Sequence, residues 1–328
     1  MKKIGILGGG VWGSALAKLL SNNKVCIYSR DKKTVKSIND HKFNPKLKYA
    51  VFNENVTSTE DTKTFKDLEY LFIALPSQAI RDVLTNLSLT NKDQEIIIAS
   101  KGIEISTSNL LSEVVNNIAK SKKISILSGP SFSDEVAQNL PTAVTFSSSN
   151  KESFEKVNLL FQNKNFRLYY SNDLIGCQIG GALKNIYAIA AGITQGLNLG
   201  ENAQSALITR SFVEISRFGE ALGAKQQTLF GLSGLGDLIL TCNSLKSRNT
   251  NFGKKISSIS KPDFEDILKS QEITEGYYTV KAVKQITDEK KVDMPIMQSV
   301  YNILYNSRSI KDEIKNLLER PITDEFTQ

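Results

Sequence analysis

The sequence predicts an α/β fold: a Rossmann-type, doubly wound parallel sheet followed by an all-α C-terminal domain. Three observations predict it. Short apolar runs alternate with helical segments through the first half of the chain. A glycine-rich turn stands between the first such run and the first helix. From about residue 175 the strand signal stops and only helical periodicity remains.

Residues 3–7 read as a buried strand, 11–20 as a helix and 24–28 as a second strand. Further strands are expected at 70–74, 95–99 and 124–127. These runs carry no polar alternation, which is the mark of strands buried on both faces of a parallel sheet. Such sheets bind ligands at the carboxyl ends of their strands. Helices are expected at 180–196, 203–222, 294–306 and 310–319, with Pro262, Pro295 and Pro321 punctuating the connections. A chain of 328 residues suits two domains, placed here at 1–175 and 176–328. There is no internal repeat, and Ser147-Ser148-Ser149 is the sole biased tract.

Composition excludes several classes. The net charge of +7 is spread along the chain without a basic block or interleaved aromatics, which argues against nucleic-acid binding. A mild positive field of this kind favours phosphorylated small molecules. Cys26, Cys177 and Cys242 lie far apart without metal spacing, so reduced thiols in a cytoplasmic protein and no metal are expected. With His41 as the single histidine, acid–base chemistry falls to Lys, Asp or Glu. Met1-Lys2-Lys3 and the apolar run after it resemble a short secretory signal, but three glycines and Trp12 interrupt the run. No stretch is read as reaching the roughly 18 uncharged apolar residues that span a bilayer, so no membrane partner is expected.

Gly8-Gly9-Gly10-Val11-Trp12-Gly13 fits the G-x-G-x-x-G pattern between strand and helix. Gly8 permits the tight turn, Gly10 lets backbone approach a pyrophosphate, and Gly13 lets the helix pack closely on the strand. The helix N-terminus then offers free N–H groups to the anion. At the tip of the second strand an acid would grip the ribose 2′-hydroxyl of NAD(H). Ser29-Arg30 stands there instead, and Arg30 suits a 2′-phosphate, so the reading leans to NADP(H) with NAD(H) possible. Asp31 follows immediately and leaves the other choice open; an exposed structural arginine is the plainer alternative.

Further motifs are hard to explain by packing. Ser100-Lys101-Gly102 follows the strand at 95–99, and Gly129-Pro130-Ser131-Phe132 follows the one at 124–127. Gly181-Ala182-Leu183-Lys184-Asn185 sets a lysine inside an apolar helix, which is costly unless the ammonium has a partner or a task. Gly231-Leu232-Ser233-Gly234-Leu235-Gly236-Asp237 is a glycine-rich loop ending in an acid, and Ser247-Arg248-Asn249 is a donor cluster suited to phosphate. Together with Leu199-Gly200-Glu201-Asn202, Ala206-Leu207-Ile208-Thr209-Arg210, Glu275-Gly276-Tyr277-Tyr278-Thr279 and Met294-Pro295-Ile296, this ordered set closely resembles the bacterial-type NAD(P)-dependent glycerol-3-phosphate dehydrogenases, from residue 1 to about residue 320.

The resemblance implies hydride exchange between NAD(P)H and the dihydroxyacetone phosphate/glycerol 3-phosphate pair, feeding phospholipid synthesis, in a homodimer. It implies that Lys184 is the catalytic lysine, acting as proton donor and acceptor at the C2 oxygen. Lys101 matches a lysine that contacts substrate and cofactor, and Gly129 and Ser131 match substrate contacts. Asp237, Ser247, Arg248 and Asn249 match the rest of the glycerol-phosphate pocket. Val11, Trp12, Arg30, Ser133, Arg248, Ile273 and Glu275 match positions around the dinucleotide. The chain departs from the family pattern at Ser133, usually alanine, and at Ser211, where glycine is more typical. It departs again after Asn44-Pro45, where Lys46-Leu47-Lys48-Tyr49 replaces the usual Tyr-Leu-Pro-Gly.

Physical reasoning supports Lys184 independently. Hydride addition to a ketone leaves negative charge on oxygen, which needs a proton, and a lysine in a partly dry pocket near a second cation such as Lys101 or Arg248 is suited to supply it. Asp237 would orient or balance that lysine, or bond substrate hydroxyls. Plainer alternatives are a salt-bridged structural Lys184, a loop-capping Asp237, a solvated Arg248 and a surface Glu275. Two rival functions remain at this stage: a β-hydroxyacid or ketoacid dehydrogenase of the same plan, and a non-catalytic dinucleotide-sensing protein.

Overall fold

The computed structural model describes residues 1–89, 91–119, 123–258, 274–322 and 324–325. The chain divides into two compact units, one of Met1–Lys101 with Asn109–Gln178, the other of Gly102–Ser108 with Ile179–Gln328. The first holds an eight-stranded sheet, and the second is helical.

In the first unit β1 (Lys3–Leu7), α1 (Val11–Leu19), β2 (Lys24–Tyr28), α2 (Lys32–His41) and β3 (Val56–Thr59) form one half of the sheet. The other half is β4 (Tyr70–Ile73), α3 (Ile80–Leu87), β5 (Glu95–Ile98), α4 (Leu111–Ala119) and β6 (Ile124–Ser128), continued by α5 (Ser133–Ala137), β7 (Thr142–Ser148), α6 (Lys151–Asn158) and β8 (Phe166–Ser171). The strand order is β3-β2-β1-β4-β5-β6-β7-β8. It reverses beside β1, so the turn after β1 opens at the switch point where such sheets bind ligands.

Two apolar layers explain the unbroken hydrophobicity of the strands. Ile4, Ile6, Val25, Ile27, Phe72, Ile97 and Leu127 face one core under α1, α5 and α6. Leu7, Leu71, Ile73, Ile96, Ile98 and Ile126 face the other under α3 and α4. At about 25 cal/mol per Å² of buried apolar surface, covering both faces is the main stabilising term of the sheet.

Five of the strands were predicted. The sheet also includes β3, β7 and β8, and it is not wholly parallel: β7 runs antiparallel to β6 and pairs in parallel with β8. β3 reads Val-Thr-Ser-Thr and β7 ends in Ser147-Ser148, so both lack the apolar runs of the central strands. Their order comes from pairing with a strand already in place rather than from intrinsic preference.

The second unit contains the greater part of α7 (Leu174–Gly196), then α8 (Glu201–Ala221), α9 (Gln226–Leu229), α10 (Asp237–Cys242) and α11 (Arg248–Ile256). It ends with α12 (Glu275–Lys290), α13 (Pro295–Tyr305) and α14 (Ile310–Leu318). Pro295 opens α13 at its first turn, where its missing N–H costs nothing. Gly102–Ser108, assigned to the first domain from sequence, belongs to this unit and is tied to α12 by the Ser108 hydroxyl donating to Gln285 Oε1 at 2.8 Å.

α7 corrects the expectation about apolar stretches. Its 23 residues include an 18-residue window with mean hydropathy 1.2, which matches a membrane span in length and composition. That window is 89% buried within the protein, as in the core helix of a globular unit. Gly180, Lys184, Ala188, Gly192 and Gly196 recur at four-residue spacing and share one face. A Cβ on Gly180 would stand 2.4 Å from the Ser233 carbonyl oxygen, and one on Gly192 2.0 Å from that of Thr250. Backbone therefore packs on backbone along this face, with Lys184 the one long side chain in the row.

Gly192→Ala tests that packing. An ordinary helix gains from such a change, but here the methyl must displace α11 backbone. We expect a loss of about 2–4 kcal/mol, read as a lower Tm in thermal unfolding followed by circular dichroism. An unchanged or raised Tm would show that α7 and α11 can separate at no cost.

Candidate active site

The candidate residues fall into one group in each unit. In the first, the glycine loop leaves β1 through Gly8 at φ +128°, where a Cβ would meet the Ala74 carbonyl oxygen at 2.4 Å. Gly13 lies against the Gly8 carbonyl, leaving no room for a side chain. A Cβ on Gly10 would instead meet nothing within 4 Å. Gly10 is also the N-cap of α1, where no side chain caps the helix and no acid lies in the first turn. Open space beside uncapped N–H groups fits a pyrophosphate. Val11 and Trp12, half-buried, open α1 and pack on the core, and the Trp12 indole donates to the Ala99 carbonyl at 3.1 Å.

That bond links the glycine loop to the end of β5, where Lys101 stands. Lys101 Nζ donates to the Gly129 carbonyl at 3.0 Å, and the Ser131 hydroxyl donates to the same oxygen at 2.9 Å. Lys101, Gly129 and Ser131 are thus brought together at the carboxyl edges of β5 and β6. Ser133 opens α5. Arg30 is exposed at the tip of β2.

In the second unit Lys184 and Asp237 form a buried ion pair. Lys184 Nζ lies 2.6 Å from Asp237 Oδ1, with the side chains 10% and 1% exposed. The ammonium also donates to the Thr241 hydroxyl at 2.8 Å, and that hydroxyl donates to the Asp237 carbonyl at 2.6 Å. The Asp237 carboxylate is therefore a charged neighbour of the Lys184 ammonium. A π-helical turn, Leu232–Gly236, leads into α10 and seats Asp237 at its first position. Gly180 lies one turn before Lys184 and meets Ser233 and Gly234 of that π-helical turn, so the contact that admits it also aligns the acid with the amine.

The donor cluster is split in role. Ser247, buried, caps α11 by accepting from Thr250 N at 3.2 Å. Asn249, also buried, donates to Asn185 Oδ1 at 2.9 Å and accepts from Gly276 N at 2.9 Å. Its amide joins α7, α11 and α12 immediately beside Lys184 and Glu275. Arg248 is the exposed first residue of α11, and Glu275 the half-buried first residue of α12. Ile273 lies outside the described residues.

Thr241 and Asn185 were missed as site residues, although both sit inside motifs that stood out. The i, i+4 spacing of Asp237 and Thr241 on one helix was the available signal for the first. Burial pushes the Cys242 thiol up to about 12, against the opposing pull of Lys184, which leaves it protonated and inert. Among the described residues no group of three His, Cys, Asp or Glu side chains is arranged to hold a metal.

Residues 3–154 match the model of the NAD-dependent glycerol-3-phosphate dehydrogenase N-terminus, and residues 173–315 that of the C-terminus. A glycerol-3-phosphate dehydrogenase [NAD(P)+] of Novosphingobium aromaticivorans is 38% identical over 327 residues, 98% of each chain. One from Staphylococcus aureus is 40% identical over 329 residues, again covering 98% of each. The crystal structure of glycerol-3-phosphate dehydrogenase from Coxiella burnetii superposes with a TM-score of 0.92 at 35% identity, over 97% of this chain and 99% of that one. A probable 2-dehydropantoate 2-reductase of Bacillus subtilis, at 14% identity and a TM-score of 0.58, shares the fold alone.

A second buried carboxylate was also missed. Glu214 on α8 accepts from Ile296 N at 2.7 Å, from Met297 N at 3.1 Å and from the Tyr187 hydroxyl at 3.0 Å. It thereby caps α13 and anchors α7 one turn beyond Lys184. Burial raises its carboxyl to about 7, against the pull of those three donors. A carboxyl raised in the folded state adds stability that is complete below about pH 4.5 and disappears as pH climbs through 7. The contribution amounts to roughly 3 kcal/mol. Chemical denaturation between pH 4.5 and 8 is expected to show this decline, and Glu214→Gln to flatten it. An equal slope in the variant would assign the decline to another group.

Proposed function

Because the chain belongs to the NAD-dependent glycerol-3-phosphate dehydrogenase family, we propose that its chemistry runs through Lys184 as proton donor and acceptor at the C2 oxygen of the substrate. The activity is that of an oxidoreductase: hydride exchange between NAD(P)H and dihydroxyacetone phosphate, giving sn-glycerol 3-phosphate. The observation that carries the assignment of Lys184 is its buried pairing with Asp237 and Thr241 in an otherwise apolar helix.

A nicotinamide dinucleotide held at the glycine loop of Gly8, Gly10 and Gly13 would supply the hydride. As C2 of the ketone accepts it, the C2 oxygen gains charge and takes a proton from the Lys184 ammonium. Little water surrounds that ammonium, so its field on the developing alkoxide is weakly screened. Asp237 balances the charge in the ground state, and Thr241 fixes the direction in which Nζ points. In the reverse direction neutral Lys184 accepts the hydroxyl proton as hydride leaves.

The remaining roles complete the proposal. Arg248, on the first turn of α11, supplies charge and donors to the substrate phosphate, with Ser247 and Asn249 beside it. Lys101, Gly129 and Ser131 form the substrate contacts of the sheet unit. Gly8, Gly10, Val11, Trp12 and Gly13 cradle the dinucleotide, and Ser133 and Glu275 flank it. Arg30 makes NADP(H) the preferred cofactor: it is exposed and makes no hydrogen bond or ion pair with any described residue. The sheet unit is the dinucleotide-binding domain and the helical unit the substrate domain, in a cytoplasmic homodimer whose buried thiols stay reduced.

Loss of NADPH absorbance on adding dihydroxyacetone phosphate tests the reaction, with unphosphorylated dihydroxyacetone as comparison. Lys184→Ala is expected to lower kcat by about a thousandfold. Removing the amine strands Asp237 as a buried charge, at a cost of about 3–5 kcal/mol, so NADPH titration and circular dichroism must show that the variant still folds. A folded variant with turnover within tenfold of the parent would remove Lys184 from the mechanism.

A further inference from the structure

We propose that Lys46, from the loop that departs from the family pattern, is a specificity-determining residue for the cofactor. By pairing with Asp31 it withdraws that carboxylate from the ribose and, with Arg30, makes the corner between β2 and α2 select a 2′-phosphate. This rests on the NADP(H) preference proposed above and names the second residue that enforces it.

The argument begins with Asp31, which stands where an NAD-selective acid could act. Its oxygens are already engaged. Oδ1 accepts from Lys33 N at 3.0 Å, as the N-cap of α2, and Oδ2 accepts from the Thr34 hydroxyl at 2.7 Å. Lys46 Nζ lies 3.0 Å from that same Oδ2. The Thr34 hydroxyl first, and Lys46 after it, hold the carboxyl well below the usual range, so it remains an anion neutralised in place. A ribose 2′-hydroxyl would have to displace one of these partners. A 2′-phosphate would meet Arg30, next in sequence to Asp31, and Lys46, paired with that acid, and beyond the neutralised N-cap Asp31 no acid lies in the first turn of α2 to repel it.

Lys46 is held by a stiff support. Asn44, fully buried, donates to the Gly9 carbonyl at 3.2 Å and to the Ser14 hydroxyl, and accepts from Lys46 N at 2.9 Å. Leu47 is 5% exposed in the core, Ala50 N bonds the Leu47 carbonyl at 2.8 Å, and Lys18 Nζ holds the Tyr49 carbonyl at 2.7 Å. The residue carrying the charge is therefore bonded, through Asn44, to the glycine loop that would cradle the pyrophosphate. Ser29, before Arg30, packs against Gly9 and accepts from Asp31 N at 3.2 Å. The backbone before Arg30 and the backbone of Lys46 are thus both tied to the dinucleotide loop. An exposed pair contributes little to folding; its consequence is the charge pattern presented to the ligand.

The test is fluorescence titration of the full chain with NADPH and with NADH, for the parent, Arg30→Ala, Lys46→Ala, Asp31→Asn and the Asp31→Asn/Lys46→Ala pair. Asparagine preserves the helix cap while removing the charge. Lys46→Ala is expected to weaken NADPH about fivefold more than NADH, and that difference to shrink in the Asp31→Asn background. An Arg30→Ala protein that loses NADPH selectively, beside a Lys46→Ala protein that does not, would overturn this inference and leave the NADP(H) preference standing. A Lys46→Ala effect undiminished by Asp31→Asn would overturn the pairing with Asp31. A parent chain that binds NADH as tightly as NADPH would overturn both readings.

Discussion

The helical unit is organised around one buried ion pair. Lys184 and Asp237 are each too far from water to stay charged alone, and each is tolerated only because the other stands 2.6 Å away. That requirement reaches well beyond the pair. α7 must meet the π-helical turn before α10 backbone to backbone, which the Gly180 contact with Ser233 and Gly234 permits. Thr241 must follow Asp237 by four residues to close the triangle. Asn249 and Gly276 then lock α11 and α12 to the neighbouring Asn185. The small-residue row, the π-turn and the amide clamp read as one solution to the problem of holding an ammonium inside an apolar helix.

In the sheet unit the governing constraint is the crossing at β1. Two layers of aliphatic side chains fix the strands, and the reversal of strand order leaves the glycine loop open at their carboxyl ends. The loop itself is crowded at Gly8 and Gly13 and empty at Gly10. Crowding sets the shape of the turn, and emptiness leaves room for an anion. The same loop supports Asn44 and, through it, the neighbouring segment that carries Lys46.

Much of this was legible in the sequence because it rests on local signals. The strands at 3–7, 24–28, 70–74, 95–99 and 124–127 are apolar apart from Lys3, Lys24, Glu95 and Ser125, as strands buried on both faces of a parallel sheet tend to be. The glycine fingerprint and the lone lysine among apolar residues likewise follow from local chemistry. What escaped depends on partners distant in sequence. β3 and β7 are polar and order themselves against neighbours already formed. Glu214 lies in an amphipathic helix like any surface acid, and nothing within α8 tells that the N–H groups of Ile296 and Met297 will cover it. The bonds of Asn249 to Asn185 and Gly276 were equally hidden, the first partner being more than sixty positions away. Lys46 was noticed only as a departure from a pattern, because its partner Asp31 is supplied by the fold.

The glycine content of α7 carries a further consequence for how the protein assembles. Five of its 23 residues are glycine, each costing about 1 kcal/mol of helix propensity relative to alanine. A segment so composed has little reason to coil by itself before the rest of its unit is present. Its helix is formed by docking, when α11 and the π-turn press against the face that the glycines leave bare. The placement of the lysine at the middle of that face accordingly depends on that docking. An incompletely folded chain would therefore lack the reactive geometry altogether rather than display a weakened form of it.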